Sequence, residues 1–287
     1  MRKDRAFRFL LLLSGFLIII LLSGIFLSLV FSSIPSIKEF GINFLFSKNW
    51  DPVNNKFGAL PFIIGTLLTS VLSLLISIPF SLSISIFLSE ILKNRTISKI
   101  FQTFVELIAG IPSVIVGLWG LFILAPVIRN IQIKFGIQPI GVGIFTASII
   151  LSIMIIPYSA SIGKEVISLV PNEVKEGAIS LGATEFETLK GVILPFSFRG
   201  IFAGFLLSFG RSFGETMAVT MVIGNANRIP TNIFSPGQTM ASLIANEFTE
   251  ATTKLYTSSL IQIGLILFLI SMLINIFGRL IIRRFSD

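Results

Sequence analysis

Residues 200–227 read GIFAGFLLSFGRSFGETMAVTMVIGNAN, and Arg211 and Glu215 are the only charges among them. Each uncharged run beside the pair is about a dozen residues, short of the roughly 20 that a helix needs to cross a bilayer. Either the stretch does not span, or it spans with two charges near mid-depth. A centrally placed Arg or Glu costs roughly 2.5–3.5 kcal/mol on insertion scales, so an intramembrane pair marks a candidate functional site. The chain otherwise keeps charge out of its apolar stretches, which makes this exception the most informative one.

The chain has 287 residues, 53% of them hydrophobic and only 13% charged, with a mean hydropathy of +0.93. No soluble domain of this length needs so much apolar surface, so the sequence describes an all-α, polytopic membrane protein. The net charge of +8 would suit nucleic acid, but the basic residues flank apolar segments instead of forming one patch. The expected partner is the lipid bilayer, with no nucleic acid. There are no cysteines and no histidines. Disulfides, thiolate metal sites and imidazole acid–base chemistry are excluded, and no metal site is expected.

Six apolar segments are predicted as spans, at approximately 9–31, 62–88, 100–128, 138–162, 196–223 and 255–278, within a single transmembrane domain over 1–287. The first follows Arg2, Lys3, Arg5 and Arg8, as in a signal peptide. Its apolar run is longer than a signal core and no small-residue cleavage site is evident, so a retained span is expected. With the N-terminus inside, the inner side collects those four residues, then Lys93, Arg95 and Lys99, then Lys164, Lys175, Lys190 and Arg199, then Arg279, Arg283 and Arg284. The outer side has about half as many, which places both termini in the cytoplasm, 163–195 inside and 224–254 outside. The outer stretch contains Pro230, Pro236 and Gly237 and is expected to be a structured loop with a short helix near 239–250. Glu247 and Glu250 read equally well there as a solvated helix face.

At 100° per residue, Gly200, Gly204, Ser208, Arg211, Glu215 and Ala218 share one face, with Phe202, Leu206, Phe209 and Phe213 opposite. The small face invites a neighbouring helix or a water-filled cavity, and the phenylalanine face suits lipid. The four-residue spacing allows Arg211 and Glu215 to pair. One reading is an ion pair that only fixes helix register. The other is a polar point on a substrate path, where the arginine fork binds an oxyanion such as phosphate or sulfate. Glu215 would then moderate the grip of Arg211 and accept a hydrogen bond from a protonated phosphate. Along 100–128, Glu106, Gly110, Ser113, Gly117 and Gly120 repeat the pattern. Glu106 faces the same interior or lies near the cytoplasmic end, about two turns past Lys99.

The inner loop 171–195, PNEVKEGAISLGATEFETLKGVILP, is the second strong signal. Val174, Ala178 and Leu181 recur at helical spacing until Gly182 breaks the run. Thr184 with Glu187 reads as a capping box opening a second short helix, whose apolar stripe is Phe186 and Leu189. Glu173, Lys175, Glu176, Glu185, Glu187 and Lys190 are expected on the exposed surface of this knob. The run Glu176-Gly177-Ala178, then Gly182, then Val192-Ile193-Leu194-Pro195 resembles the "EAA" loop of bacterial ABC importer permeases, E-A-A-x3-G-x9-I-x-L-P. Gly177 stands where the pattern has alanine and Val192 where it has isoleucine. The 107–113 run LIAGIPS with Gly117-Leu118-Trp119-Gly120, the 210–225 run GRSFGETMAVTMVIGN, Trp50-Asp51-Pro52, and the 241–248 run ASLIANEF are similar to the C-type permease of phosphate-specific (Pst) importers.

This resemblance implies a six-helix, type I importer-like permease in a bacterial-type inner or plasma membrane. It would be paired with an A-type permease, with two ATPase subunits below and an extracytoplasmic phosphate-binding protein above. It implies that Arg211 and Glu215 line the substrate path, with Glu106 a third candidate there on the strength of its helical face alone. It also implies that Glu176, Gly177, Ala178, Gly182, Leu194 and Pro195 form the ATPase-coupling loop. No cofactor is expected on this chain and ATP is used by the partner, in keeping with a sequence whose only Gly-Lys, Gly163-Lys164, runs into Glu165 and lacks a P-loop's upstream glycine. A permease for molybdate or sulfate is the nearest alternative. An intramembrane protease is disfavoured, since there is no histidine and Asp4, Asp51 and Asp287 all fall outside the spans. A passive anion channel or a scaffold would have no use for the organised inner loop.

Overall fold

A helix pairs all its backbone groups within the segment that enters hydrocarbon, and helices are the regular elements of this chain. The computed structural model describes residues 2–92 and 96–284, with the side chains of residues 2–6, 96 and 284 left aside. Lys93, Arg95 and Asp287, and the side chains of Arg2, Lys3, Arg5 and Arg284, lie outside what is described. The helices are α1 (Arg2–Phe40), α2 (Asn43–Phe46), α3 (Leu60–Ile86), α4 (Thr96–Gly110), α5 (Ser113–Trp119), α6 (Ala125–Lys134) and α7 (Ile144–Ser168). The second half continues with α8 (Asn172–Ser180), α9 (Glu185–Thr188), α10 (Leu194–Phe213), α11 (Met217–Val222), α12 (Met240–Glu247) and α13 (Lys254–Arg284). Among the described residues the remaining pairing is one isolated bridge between Asp51 and Lys56.

Three π-turns extend these helices. Phe87–Ile91 lengthens α3, Gly120–Leu124 joins α5 to α6, and Leu189–Ile193 joins α9 to α10. Six segments are then long and apolar enough to cross a membrane: Phe7–Phe40, Leu60–Ile91, Ser113–Lys134, Ile144–Ser168, Glu185–Phe213 and Lys254–Arg283. An even number of crossings puts both termini on one side, and the basic residues assign that side to the cytoplasm.

Two expected spans are not single helices. The third, expected over 100–128, breaks between Gly110 and Ser113, where Pro112 holds an extended ψ of 134°. Its first part is α4, which is amphipathic: Ile97, Ile100, Phe101, Phe104, Leu107 and Ile108 form an exposed apolar side, beside the polar Lys99, Gln102, Thr103 and Glu106. The crossing itself starts at Ser113. The fifth, expected over 196–223, breaks after Phe213 and resumes at Met217.

The fold is organised around α7. In its most apolar stretch 67% of residues are buried, against 28% or fewer in every other span. On one side α3 packs along its length through Thr66, Thr69, Ser70, Ser73, Ser77, Ser81, Ser85 and Ser89, all buried. Repeating every three or four residues, these small side chains let the backbones approach closely. Most hydroxyls are satisfied within α3 itself, as in Ser81 to the Ser77 carbonyl (2.7 Å) and Ser85 to the Ser81 carbonyl (2.7 Å). Ser85 also reaches across to the Ala160 carbonyl (3.0 Å). A Cβ on Gly163 would meet Ser85.

On the other side α10 meets α7 through Gly200 against Val166 and Gly204 against Ile162; a methyl on Gly200 would clash with Val166, and one on Gly204 would press tightly on Ile162. This confirms the small face of the fifth span as a helix contact. The phenylalanine face is not left to lipid. Leu206 lies against Gly278 of α13, Phe213 is buried, and Phe209 meets Phe213 edge-on with centroids 4.9 Å apart. Towards the outer side, Phe44, Trp50, Phe57, Phe62, Met240 and Tyr256 form an aromatic-rich core that ties the loop after α1 to α3, α12 and α13.

Replacing Gly163 by Val is expected to force Ser85 away and cost about 1–3 kcal/mol, the usual penalty of overpacking. Thermal unfolding of the detergent-solubilised protein checks this. Ser83→Val, on the exposed side of the same turn, is expected to leave the midpoint unchanged.

Candidate functional site

Gly214 ends α10, its N–H donating to the Arg211 carbonyl (3.2 Å). Thr216 begins α11, with its Oγ1 donating to the Gly214 carbonyl (3.1 Å). Glycine is a poor helix former, at about 1 kcal/mol relative to alanine, and Gly210 and Gly214 weaken the helix where it stops. Arg211 therefore lies in the last turn of α10, and Glu215 lies in the break. The two do not share a helical face as the wheel predicted.

They are not paired either. Among the described residues the one ion pair within 4.0 Å is Lys175 with Glu90. The guanidinium carbon of Arg211 instead sits 4.1 Å from the centroid of the Tyr158 ring on α7. The α7–α10 register leads to this contact. Val166 faces Gly200 and Ile162 faces Gly204, so one more step brings Tyr158 level with Ser208, one turn below Arg211.

Tyr158, against which the Arg211 guanidinium rests, is fourteen residues from the outer end of α7 and ten from its inner end, about 21 and 15 Å at 1.5 Å per residue. That is near mid-depth in a bilayer core of about 30 Å. In this chain alone Arg211 is exposed, and Tyr158 and Glu215 are half-buried. An exposed arginine at that depth has a heavy cost against hydrocarbon, so the face that carries it borders water or protein.

Of the two places expected for Glu106, the structure has the one near the cytoplasmic end, on α4 before the third crossing begins. Glu106 is exposed there and accepts a hydrogen bond from Gln102 Nε2 (2.8 Å). Gln102 in turn accepts one from Lys164 of α7, so Glu106 ends a polar relay that joins α4 to α7. The break before Ser113 separates it from Gly117 and Gly120. Those two glycines have a separate role: Gly117 lies against Ala218 and Met221, and Gly120 against Ile150 and Val222. They bring the third crossing onto α11, just beyond the break that holds Glu215.

The inner loop has the predicted form in detail. α8 ends in a Schellman turn, with Gly182 N–H donating to the Ile179 carbonyl (2.9 Å) and Ala183 N–H to the Ala178 carbonyl (3.1 Å). Gly182 takes φ +90°, which disfavours any side chain. Thr184 and Glu187 make the capping box. Glu176, Gly177 and Pro195 are exposed, while Ala178 and Leu194 are half-buried. The apolar stripe points outward: Leu181 is 91% exposed, with Phe186, Ile179 and Val174 beside it.

Two charges have partners that the sequence reading did not predict. Lys175, expected on the knob's surface, is buried and bonded to Glu90 at 2.6 Å. It pins α8 to the π-turn that ends the second crossing. Glu247, for which a solvated helix face was one of two equal readings, accepts from Trp50 Nε1 (2.6 Å), the Tyr256 hydroxyl (2.6 Å) and Asn227 Nδ2 (3.1 Å). It clamps three outer segments together, whereas Glu250 is exposed. The partners lie far off in sequence, so no local pattern signals either contact.

The bundle thus has an exposed cation partway through and an apolar-tipped knob on its inner side. Residues 81–287 match the family described as "Binding-protein-dependent transport system inner membrane component". The chain is 43% identical to the phosphate transport system permease protein PstC of Mesorhizobium japonicum, covering 94% of this chain and 87% of that one. It is 41% identical to PstC of Haemophilus influenzae, over 96% and 91% of the two chains. A probable PstC of Methanocaldococcus jannaschii is 34% identical over 100% and 96%. In fold the chain is similar to the inward-facing MetNI methionine ABC transporter, with a TM-score of 0.60 over 79% of this chain and 97% of that one at 15% identity. The chain belongs to the inner-membrane components of binding-protein-dependent transport systems, among the PstC-type permeases.

Removing one charge of a buried pair leaves the other uncompensated. Glu90→Gln is expected to cost roughly 3 kcal/mol, the low end of the usual range because Glu90 keeps some contact with solvent. Thermal unfolding and limited proteolysis of the 171–195 loop measure this. The exchanged double variant Glu90→Lys/Lys175→Glu should recover more than half of the loss, and wild-type stability in Glu90→Gln would contradict the anchoring role.

Proposed function

We propose that this chain is one of two permease subunits of an ATP-driven importer of inorganic phosphate in a bacterial-type cell membrane. The observation that carries the proposal is the exposed Arg211 at mid-depth. Its face needs a second permease, an A-type partner, so that the two chains enclose a polar path between them. Arginine keeps its charge at any relevant pH, and its planar fork matches a tetrahedral oxyanion. Arg211 would bind sulfate or molybdate by the same chemistry. The choice of phosphate rests on the names of the relatives, each a phosphate transport permease over nearly its whole length.

Energy comes from outside this chain. Two ATPase subunits grip the inner knobs of the two permeases, with Leu181 and Phe186 as the apolar contact and Glu176, Gly177, Ala178 and Gly182 shaping it. Leu194 and Pro195 join the knob to α10. Motion received there passes directly to the helix that carries Arg211. An extracytoplasmic phosphate-binding protein delivers the anion to the outer loops. This chain holds no cofactor, and ATP is consumed by its partners. Glu215, in the break beside Arg211, is placed to receive a proton-bearing phosphate oxygen. Glu106, at the end of the Lys164 relay, lies on the cytoplasmic part of the same route.

Arg211→Ala is expected to reduce phosphate uptake by roughly 10- to 100-fold, the worth of a charge-assisted hydrogen bond, while the ATPase subunits still co-purify. Wild-type uptake in this variant would remove Arg211 from the path.

A further inference from the structure

The contact between Arg211 and Tyr158 is not accounted for by transport through Arg211 alone. A cation at mid-depth needs a counterpart when no substrate is present. A carboxylate would supply one, but it would neutralise the charge and compete with the anion for the same donors. Glu215 is near enough in sequence to do this and forms no ion pair with Arg211 within 4.0 Å. Nor does the Arg211 side chain donate a hydrogen bond to any group among the described residues. Its partner is the π-face of Tyr158, at 4.1 Å, which attracts a cation through its quadrupole while carrying no net charge.

The half-buried ring sits on the most buried helix of the bundle, between Pro157 and Ser159, which are both buried. The height of Arg211 above it follows from the glycine contacts of α10 on α7. The side chain of Arg211 is thus positioned by a neighbour that takes up none of its N–H donors.

We propose that Tyr158 is a positioning residue for the oxyanion site: its ring holds the Arg211 guanidinium away from Glu215 and leaves the N–H donors free for a tetrahedral anion. The inference rests on the reading of Arg211 as a pathway residue. It assigns the ring face as the working part of Tyr158 and gives the hydroxyl no role. Without the ring, Arg211 is free to fold back onto Glu215, four residues along, and the anion must then displace a carboxylate.

The experiment is inorganic phosphate uptake by the assembled importer in proteoliposomes, with the binding protein and ATP supplied, for Tyr158→Phe, Tyr158→Leu, Glu215→Gln, Tyr158→Leu/Glu215→Gln and Arg211→Ala. Tyr158→Phe is expected to transport like the wild type, and Tyr158→Leu roughly 2- to 30-fold more slowly, the range spanned by cation–π attractions. The loss on Tyr158→Leu should shrink when Glu215 is already glutamine, since no carboxylate remains to capture Arg211. A packing role alone would give the same loss in both backgrounds, and that additivity would overturn the proposal. Equal losses in Tyr158→Phe and Tyr158→Leu would also overturn it by assigning the effect to the hydroxyl. Wild-type uptake by Tyr158→Leu beside a dead Arg211→Ala would sink the role of Tyr158 and spare the pathway reading. Wild-type uptake by Arg211→Ala would sink both.

Discussion

The close approach of α10 to α7 through Gly200 and Gly204 sets the position of the one charge that matters most. Side chains at these positions would press on Val166 and Ile162 of α7, in the contact that sets the height of Arg211 beside Tyr158. The opposite face of α7 is closed in the same manner by the hydroxyl-lined face of α3. Two crossings, α3 and α10, are thereby packed at short range against one buried helix, α7. Small residues do this because lipid tails are as apolar as leucine. Helix association in a membrane then gains more from close packing and satisfied polar groups than from apolar area.

The same bundle is wired to its inner knob at two points. One is covalent: α9 runs through the π-turn Leu189–Ile193 into α10. The other is the Lys175–Glu90 ion pair, which ties α8 to the end of the second crossing. The knob is thus attached to both α10 and α3, which pack on α7. Arg211 is carried by α10 and Tyr158 by α7. The breaks at Pro112 and Gly214 lie in the crossings that meet through Gly117 and α11.

Local features were legible in the sequence. The knob could be read because a capping box, a glycine with positive φ and a helical stripe are all short-range signals, and each appears in place. Arg211 stood out because, Glu106 aside, charge is otherwise kept to the ends of the apolar segments. The third-crossing break had a signal as well, Gly110 and Pro112 after an amphipathic run with Lys99, Gln102 and Glu106, but the continuous apolar count across it hid the boundary. Glycine 214 marked the end of α10 in the same way. Serine and threonine repeat along 66–89, a sign of the close α3 contact, though not one used to predict it. What could not be read were pairings made by the fold: Lys175 with Glu90, Trp50 and Tyr256 with Glu247, and Arg211 with Tyr158. Each joins groups from different helices or loops, and no periodicity within one segment specifies them.

The central claim is that the exposed face at Arg211 borders an aqueous path in the assembled transporter. The chain contains no cysteine, so Arg211→Cys provides a unique thiol in this subunit. The direct measurement is its rate of modification by a charged, membrane-impermeant thiol reagent in the assembled complex, with and without a non-hydrolysable ATP analogue. Leu12→Cys, on the exposed side of α1, serves as the lipid-facing control. Rapid modification at 211 that changes with the nucleotide, beside an inert position 12, is the expected result. A thiol at 211 as inert as that at 12 in both states would contradict the account.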